Sequence, residues 1–188
     1  MKKDIVICGI GGQGVITMVK LLLNVANRHM LKVVSSETHG MSQRGGSVIS
    51  HVRMGRMGPP TVPQGKADIL VSLEPSETIR YLHFANKNTK VISNSRKIFP
   101  FSISPKKAIY PDFPAILESY NSYIFDATAI AEKIGSYILT NMVMLGFVSN
   151  LLPFDKEVFI DEIKRLKKLR KDNIKAFEEG RKYGKNVL

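Results

Sequence analysis

The chain has 188 residues, 44% of them apolar and 23% charged, which is enough for a sizeable buried core and too evenly mixed for a disordered chain. The formal net charge of +12 is uneven: residues 1–100 hold 14 Lys or Arg against 5 Asp or Glu, and residues 101–188 hold 14 against 11, so an anionic ligand or an acidic partner is favoured near the N-terminal half. A single cysteine, Cys8, excludes an internal disulfide and an iron–sulfur cluster ligated by this chain alone.

Taken in chain order, residues 4–8 read as a buried strand. A glycine loop follows at Gly9-Ile10-Gly11-Gly12-Gln13-Gly14, and then a helix over residues 15–28 with Val15, Met18, Val19, Leu22, Leu23 and Ala26 on one face. Residues 31–35 read as a second strand, which closes a βαβ unit with the glycine loop at its first turn. Residues 37–46 have no apolar period and hold Gly40, Gly45 and Gly46, so a loop is expected there. It leads into a strand at 47–54 whose faces alternate between Val48, Ser50, Val52, Met54 and Ile49, His51, Arg53.

After a basic turn rich in Gly and Pro at 55–60, residues 67–73 form another buried strand. Glu74-Pro75-Ser76-Glu77 opens a helix to about Ala85, with proline and acids in its first turn. Strands are expected at 90–93 and 122–125, separated by a segment containing Pro100, Pro105, Pro111 and Pro114. From Ala127 onward the chain reads as helical, including a helix capped by Asp155 with Val158, Phe159, Ile160, Ile163, Leu166 and Leu169 inward and a run of Lys and Arg outward. The expected architecture is α/β: a three-layer α/β/α Rossmann-like single domain spanning 1–188, with a mostly parallel sheet and a helical C-terminal part from about 127. The N-terminal apolar run is shorter than a signal-peptide core, and the stretch 137–148 is shorter than a membrane span. A cytoplasmic chain without a membrane partner is the expectation.

Gly9, Gly11 and Gly14 meet the G-x-G-x-x-G pattern between strand and helix, and Glu37 lies where a ribose-binding acid is expected. The loop alone suits a dinucleotide, another phosphate-bearing ligand, a buried interface or a tight turn. The second glycine stretch argues against a two-domain dehydrogenase, because His39, Gln43 and Arg44 sit on a polar loop running straight into a strand. His29, His51 and His83 show no metal spacing, and Asp68, Glu74 and Glu77 read as caps and solvated groups. No catalytic constellation and no metal site is evident. The basic charge lacks the interleaved aromatic residues of a nucleic-acid surface.

Several of these stretches together carry a resemblance: Gly-x-Gly-Gly-Gln-Gly at 9–14, His39-Gly40-Met41-Ser42-Gln43-Arg44-Gly45-Gly46-Ser47-Val48, Ala67-Asp68 with Leu73-Glu74-Pro75, Asn141-Met142-Val143-Met144-Leu145-Gly146, and Asn173 with Ala176-Phe177-Glu178-Glu179-Gly180. The chain resembles the gamma-type subunits of 2-oxoacid:ferredoxin oxidoreductases, and among these the beta-subunit branch of the indolepyruvate enzymes. The resemblance implies a small subunit, inactive alone, of a complex that oxidatively decarboxylates a 2-oxoacid to an acyl-CoA and passes electrons to ferredoxin. Thiamine diphosphate, Mg and 4Fe-4S clusters are then expected on a large (alpha) catalytic subunit, with coenzyme A as co-substrate and no cofactor held by this chain alone. On that basis Gly9, Gly11, Gly12, Gln13, Gly14, His39, Gln43, Arg44, Gly45 and Gly46 are the expected cofactor-proximal set, with residues 9–14 and 39–46 meeting at one edge of the sheet. An NAD(P)-binding oxidoreductase acting alone is the alternative.

Overall fold

The apolar run near the N-terminus forms strand β1, Lys3–Ile10, with Ile5 and Ile7 on one face of the sheet and Val6 and Cys8 on the other. The computed structural model describes residues 1–39, 45–98, 110–166 and 168–188, with the backbone alone for Thr38 and His39. The remaining strands are β2 (Val33–His39), β3 (Ser47–Met54), β4 (Ile69–Ser72), β5 (Lys90–Asn94) and β6 (Asn121–Phe125). They form one sheet in the order β2-β3-β1-β4-β5-β6. The β1–β4, β4–β5 and β5–β6 pairs are parallel, while β3 runs antiparallel to both β1 and β2.

This order corrects the simple βαβ expectation. β1 and β2 point the same way, but β3 folds back between them, so they are not neighbours. β2 also extends to His39, with Glu37 opposite Ser50 and His39 opposite Val48. Residues 37–39 are therefore strand rather than loop, because β3 supplies their backbone hydrogen bonds.

One layer of helices is thick. α1 (Val15–Arg28), α4 (Ala127–Ile134), α5 (Thr140–Ser149), α6 (Lys156–Lys164) and α7 (Arg170–Val187) share a core with the Ile5, Ile7, Val52, Ile69, Val71 and Ile92 face of the sheet. The other layer is thin: α2 (Pro75–Tyr81), a 3-10 turn at Leu82–Phe84 and α3 (Phe113–Leu117) cover Val6, Cys8, Leu70 and Val91. No helix among the described residues is long and apolar enough to cross a membrane.

Every residue of α5 is buried, as expected of a helix apolar on all sides and enclosed between a sheet and another helix. Its partner α7 approaches closely because both carry glycine at the crossing: a Cβ on Gly146 would collide with the carbonyl of Phe177, and one on Gly180 with that of Val143. Asn150 reinforces the pair by donating Nδ2 to the Arg181 carbonyl at 3.0 Å. Stacked rings continue the packing, with Phe159 on Phe177 at 5.4 Å between centroids and Phe125 on Phe147 at 5.3 Å. α6 is fastened to α1 by Glu162, which meets Arg28 Nε at 2.6 Å and Asn24 Nδ2 at 3.0 Å.

The C-terminal region departs from expectation in one respect. Asp155 occupies the N-cap position of α6 without a side-chain cap hydrogen bond, and α6 ends at Lys164. The apolar stripe that runs on to Leu169 therefore spans a break, with Leu169 in the left-handed region at φ +50° before α7 begins.

His51, on β3, is buried with its ring edge-on to Phe84 at 5.1 Å, and its Nδ1 accepts the Val62 N–H at 3.3 Å. Burial, and then the nearby Arg53, push its pKa below the ordinary 6.5.

Two outcomes are expected. Gly146→Ala should cost about 2–3 kcal/mol in urea denaturation, because the clash is with backbone that cannot yield. The neutral His51 ring is the folded form, so the unfolded chain binds more protons just below pH 6.5. Its contribution is complete above about pH 6.5 and declines as pH falls below that value; the acid-side loss in melting temperature should shrink in His51→Gln.

Candidate functional site

The carboxyl end of β1 runs directly into the glycine loop, which is held shut by its own groups. Gln13 reaches back so that its Oε1 accepts the Ile10 N–H at 2.7 Å while its Nε2 donates to the Leu73 carbonyl at 3.1 Å. The Gln13 N–H returns to the Ile10 carbonyl at 3.0 Å. Gly12 and Gly14 take φ of +101° and +86°, backbone that an L side chain resists. Gly14 is also the N-cap of α1 and lies against Asn141, whose Nδ2 donates to its carbonyl at 3.4 Å. Gly9 lies within β1, where a Cβ would press on Gln13, Leu73 and Val15.

The second glycine stretch joins this loop through the backbone. Gly11 donates its N–H to the Gly46 carbonyl at 2.7 Å, and Gly45 donates to the Gly11 carbonyl at 3.3 Å. Gly11, Gly12, Gln13 and Gly45 then form one wall of a cleft of about 610 Å³ at the carboxyl ends of the parallel strands, the usual ligand position in open α/β sheets. The opposite wall comes from Arg96 and Ile98 beyond β5, Thr128 and Glu132 of α4, and Tyr137, Ile138 and Thr140 before and at the start of α5. None of these opposite-wall residues stands out in the sequence; the hydroxyls and the exposed Tyr137 are ordinary residue types without a spacing signature.

Of the expected set, Gly11, Gly12, Gln13 and Gly45 line the cleft and Gly46 adjoins it. Gly9 and Gly14 lie behind the wall as packing positions. The backbone of His39 ends β2, separated from β1 by β3. Gln43 and Arg44 lie outside the described residues.

Glu74 and Glu77 are buried rather than solvated. Glu74 caps α2 by accepting the Ser76 and Glu77 N–H groups at 2.7 and 3.2 Å, and it also accepts from the Tyr110 hydroxyl and from the Ile98 N–H at 3.3 Å. It thereby anchors the Ile98 side of the cleft. Burial and this carboxylate raise the Tyr110 pKa well above the usual phenol. Glu77 accepts from the Ser47 hydroxyl and from Arg80 Nε at 3.1 Å, which ties α2 to the start of β3 below the glycine contact. Asp68 accepts the Asp4 N–H at 2.7 Å. Cys8 is fully buried, donates weakly to the Val71 and Glu77 carbonyls, and has its pKa pushed up to about 12, chiefly by burial. It is a packing residue, not a nucleophile.

Arg96, the cation among the described residues of the cleft wall, lies 3.5 Å from Asp126 and 3.0 Å from Glu132. Its charge is thus balanced locally. The cleft offers hydroxyls, glycine backbone and apolar surface, which suits binding and exclusion of water more than proton transfer. No group of three or more His, Cys, Asp or Glu able to hold a metal occurs among the described residues.

Fold and cleft together define an α/β domain with a glycine-walled cleft at the carboxyl ends of its parallel strands. Residues 4–183 match the pyruvate ferredoxin/flavodoxin oxidoreductase family. The chain is 41% identical to the indolepyruvate oxidoreductase subunit IorB of Archaeoglobus fulgidus, covering 96% of this chain and 94% of the relative. In fold it is similar to the gamma subunit of a keto/oxoacid ferredoxin oxidoreductase from Geobacter sulfurreducens, with TM-score 0.74 and 21% identity over 98% of this chain and 99% of that one. It is also similar to the 2-oxoglutarate:ferredoxin oxidoreductase of Magnetococcus marinus, solved with 2-oxoglutarate, coenzyme A and succinyl-CoA bound, with TM-score 0.77 and 19% identity over 100% of this chain and 32% of that longer chain. The chain belongs to the pyruvate ferredoxin/flavodoxin oxidoreductase family.

Removing the Gln13 carboxamide in Gln13→Ala leaves the half-buried Ile10 N–H without its partner and takes one donor from the Leu73 carbonyl. The expected cost is about 1–3 kcal/mol, read as a lower denaturation midpoint together with faster amide exchange at Ile10.

Proposed function

We propose that this chain is the small subunit of an indolepyruvate-type, aryl-2-oxoacid:ferredoxin oxidoreductase, with residues 1–188 acting as one unit in the cytoplasm beside a large catalytic subunit. The overall reaction takes a 2-oxoacid anion, coenzyme A and two oxidised ferredoxins to an acyl-CoA, carbon dioxide, two reduced ferredoxins and a proton. The observation that carries this reading is the near full-length likeness to the Archaeoglobus indolepyruvate oxidoreductase subunit. The cleft agrees with it, since its described lining provides binding surface without a nucleophile or proton-transfer pair.

Thiamine diphosphate with Mg, which supplies carbanion chemistry at the oxoacid carbonyl carbon, and 4Fe-4S clusters, which carry the electrons, are assigned to the large subunit. The residues here do not fit a cluster, which takes four thiolates, because this chain has one buried thiol. Coenzyme A fits the cleft differently. Ile98, Tyr137 and Ile138 suit its apolar arm, and the Thr128 and Thr140 hydroxyls suit its amides. Arg96, the cation among the described lining residues, is already paired with Asp126 and Glu132. In this arrangement the glycine wall closes one side of the shared active site and keeps water from the thioester-forming step.

The lone NAD(P) enzyme is not favoured. The Gly11 N–H that would face a pyrophosphate is donated to Gly46, and β3 separates Glu37 from β1 by two strand spacings, roughly 10 Å.

Co-expression with the large subunit should give a stable complex that reduces ferredoxin only when indolepyruvate and coenzyme A are both present, while the chain alone is inactive. Saturable NAD(P)H binding by the isolated chain in calorimetry, with no complex formed, would reverse the reading.

A further inference from the structure

Three local choices around residue 169 run against ordinary helix chemistry. Leu169 holds φ +50°, a conformation costly for a side chain larger than glycine, while leaving a leucine 47% exposed. Arg170 and Lys171 open α7 at its positive end, where cations are disfavoured. Asn173 braces the strained turn: its N–H donates to the Leu169 carbonyl at 2.8 Å and its Nδ2 to the Lys168 carbonyl at 3.1 Å.

The surroundings are apolar. Leu169, Leu166, Met142 and Ile138 line a second hollow of about 460 Å³. Ile138 is shared with the glycine-walled cleft, so Tyr137 and Ile138, 66% and 58% exposed, stand as a ridge between the two hollows. Lys164 and Arg165 are paired with Asp161 and Glu162, whereas Lys168, Arg170 and Lys171 have no ion pair among the described residues. Asp172 is the acid of that first turn.

We propose that the Tyr137–Ile138 ridge and the Leu169 hollow are the seat for an apolar segment of the large subunit flanked by acidic side chains. This rests on the subunit reading above. The apolar hollow and ridge take the segment's hydrophobic side chains, and the three unpaired cations select its acidic flanks and speed encounter. The strain at Leu169 is the local cost of presenting a leucine outward at the edge of the hollow.

The test uses the co-expressed complex and measures affinity between purified subunits. Ile138→Asp and Leu169→Asp should each weaken assembly by about tenfold or more, while Met57→Asp, at a more exposed methionine outside both hollows, leaves it unchanged. Leu169→Gly removes the side chain and relieves the turn, so assembly weakens while the melting temperature stays within about 2 °C. Reversing Lys168, Arg170 and Lys171 to Glu should slow association about tenfold and remove most of its salt dependence. Wild-type assembly with undiminished affinity in the ridge and Leu169 variants overturns this seat and leaves the subunit reading intact. Absence of any wild-type complex overturns both, and is read before any variant is made. Self-association of the chain that Leu169→Asp abolishes assigns the face to a second copy and overturns the proposal.

Discussion

One carbonyl ties the cleft together. Leu73, just beyond β4, accepts the Gln13 carboxamide at 3.1 Å from one side and the Asn94 carboxamide at 3.0 Å from the other. Gln13 belongs to the loop after β1, and Asn94 ends β5, so the carbonyl sits between the ends of three adjacent parallel strands. Asn94 then passes the constraint to α4, donating to the Thr128 hydroxyl at 3.0 Å and accepting the Thr128 N–H at 3.4 Å. Each such bond adds only about 1 kcal/mol net, but leaving a buried member unpaired costs about 1–3 kcal/mol. The chain of groups therefore holds its members by the penalty of breaking it, and both walls of the cleft are set from one point.

The six strands were legible in the sequence as short apolar or alternating runs, except for the polar end of β2 at 37–39, and the glycine loop was legible from its spacing. The order of the strands was not. Whether β3 pairs beside β2 alone or slides between β2 and β1 is decided by long-range backbone pairing, to which local periodicity is blind. Burial of Glu74 and Glu77 was hidden for a related reason. Carboxylates beside a proline at a helix start read as solvated, and only the arrival of Tyr110, Ile98 and Ser47 from elsewhere in the chain gives them enough donors to be buried. The break before α7 escaped notice because the apolar period continues through Leu166 and Leu169 with no glycine or proline to mark it.

Charge shows the same separation between sequence and structure. The excess of Lys and Arg in residues 1–100 places a basic field around the glycine loop if position in the chain is taken for position in space. Instead Arg53 and Arg56 are bound to Asp4 at 2.9 and 3.1 Å. Asp4 lies at the start of β1, some 20 Å of strand from the cleft. Arg28 is held by Glu162, Arg80 by Glu77, and Arg96 by Asp126 and Glu132. Apart from Arg80, whose pair lies within α2, these arginines fasten separate parts of the chain to one another. Among the described residues, Lys168, Arg170 and Lys171, which have no ion pair, gather beside the Leu169 hollow in the tail, the half with the smaller net excess.

The first turn of α5 links the two hollows. Thr140 faces the glycine-walled cleft and Asn141 the Leu169 hollow, while the Asn141 carboxamide bonds the Gly14 carbonyl behind the glycine loop. α5 is enclosed on every side and locked to α7 through glycine contacts, so this turn cannot shift without disturbing a close-packed core. A load on the Ile138 ridge is consequently borne by the same rigid element that backs the glycine loop. The two surfaces share one wall, and their relative position is as fixed as the core behind them.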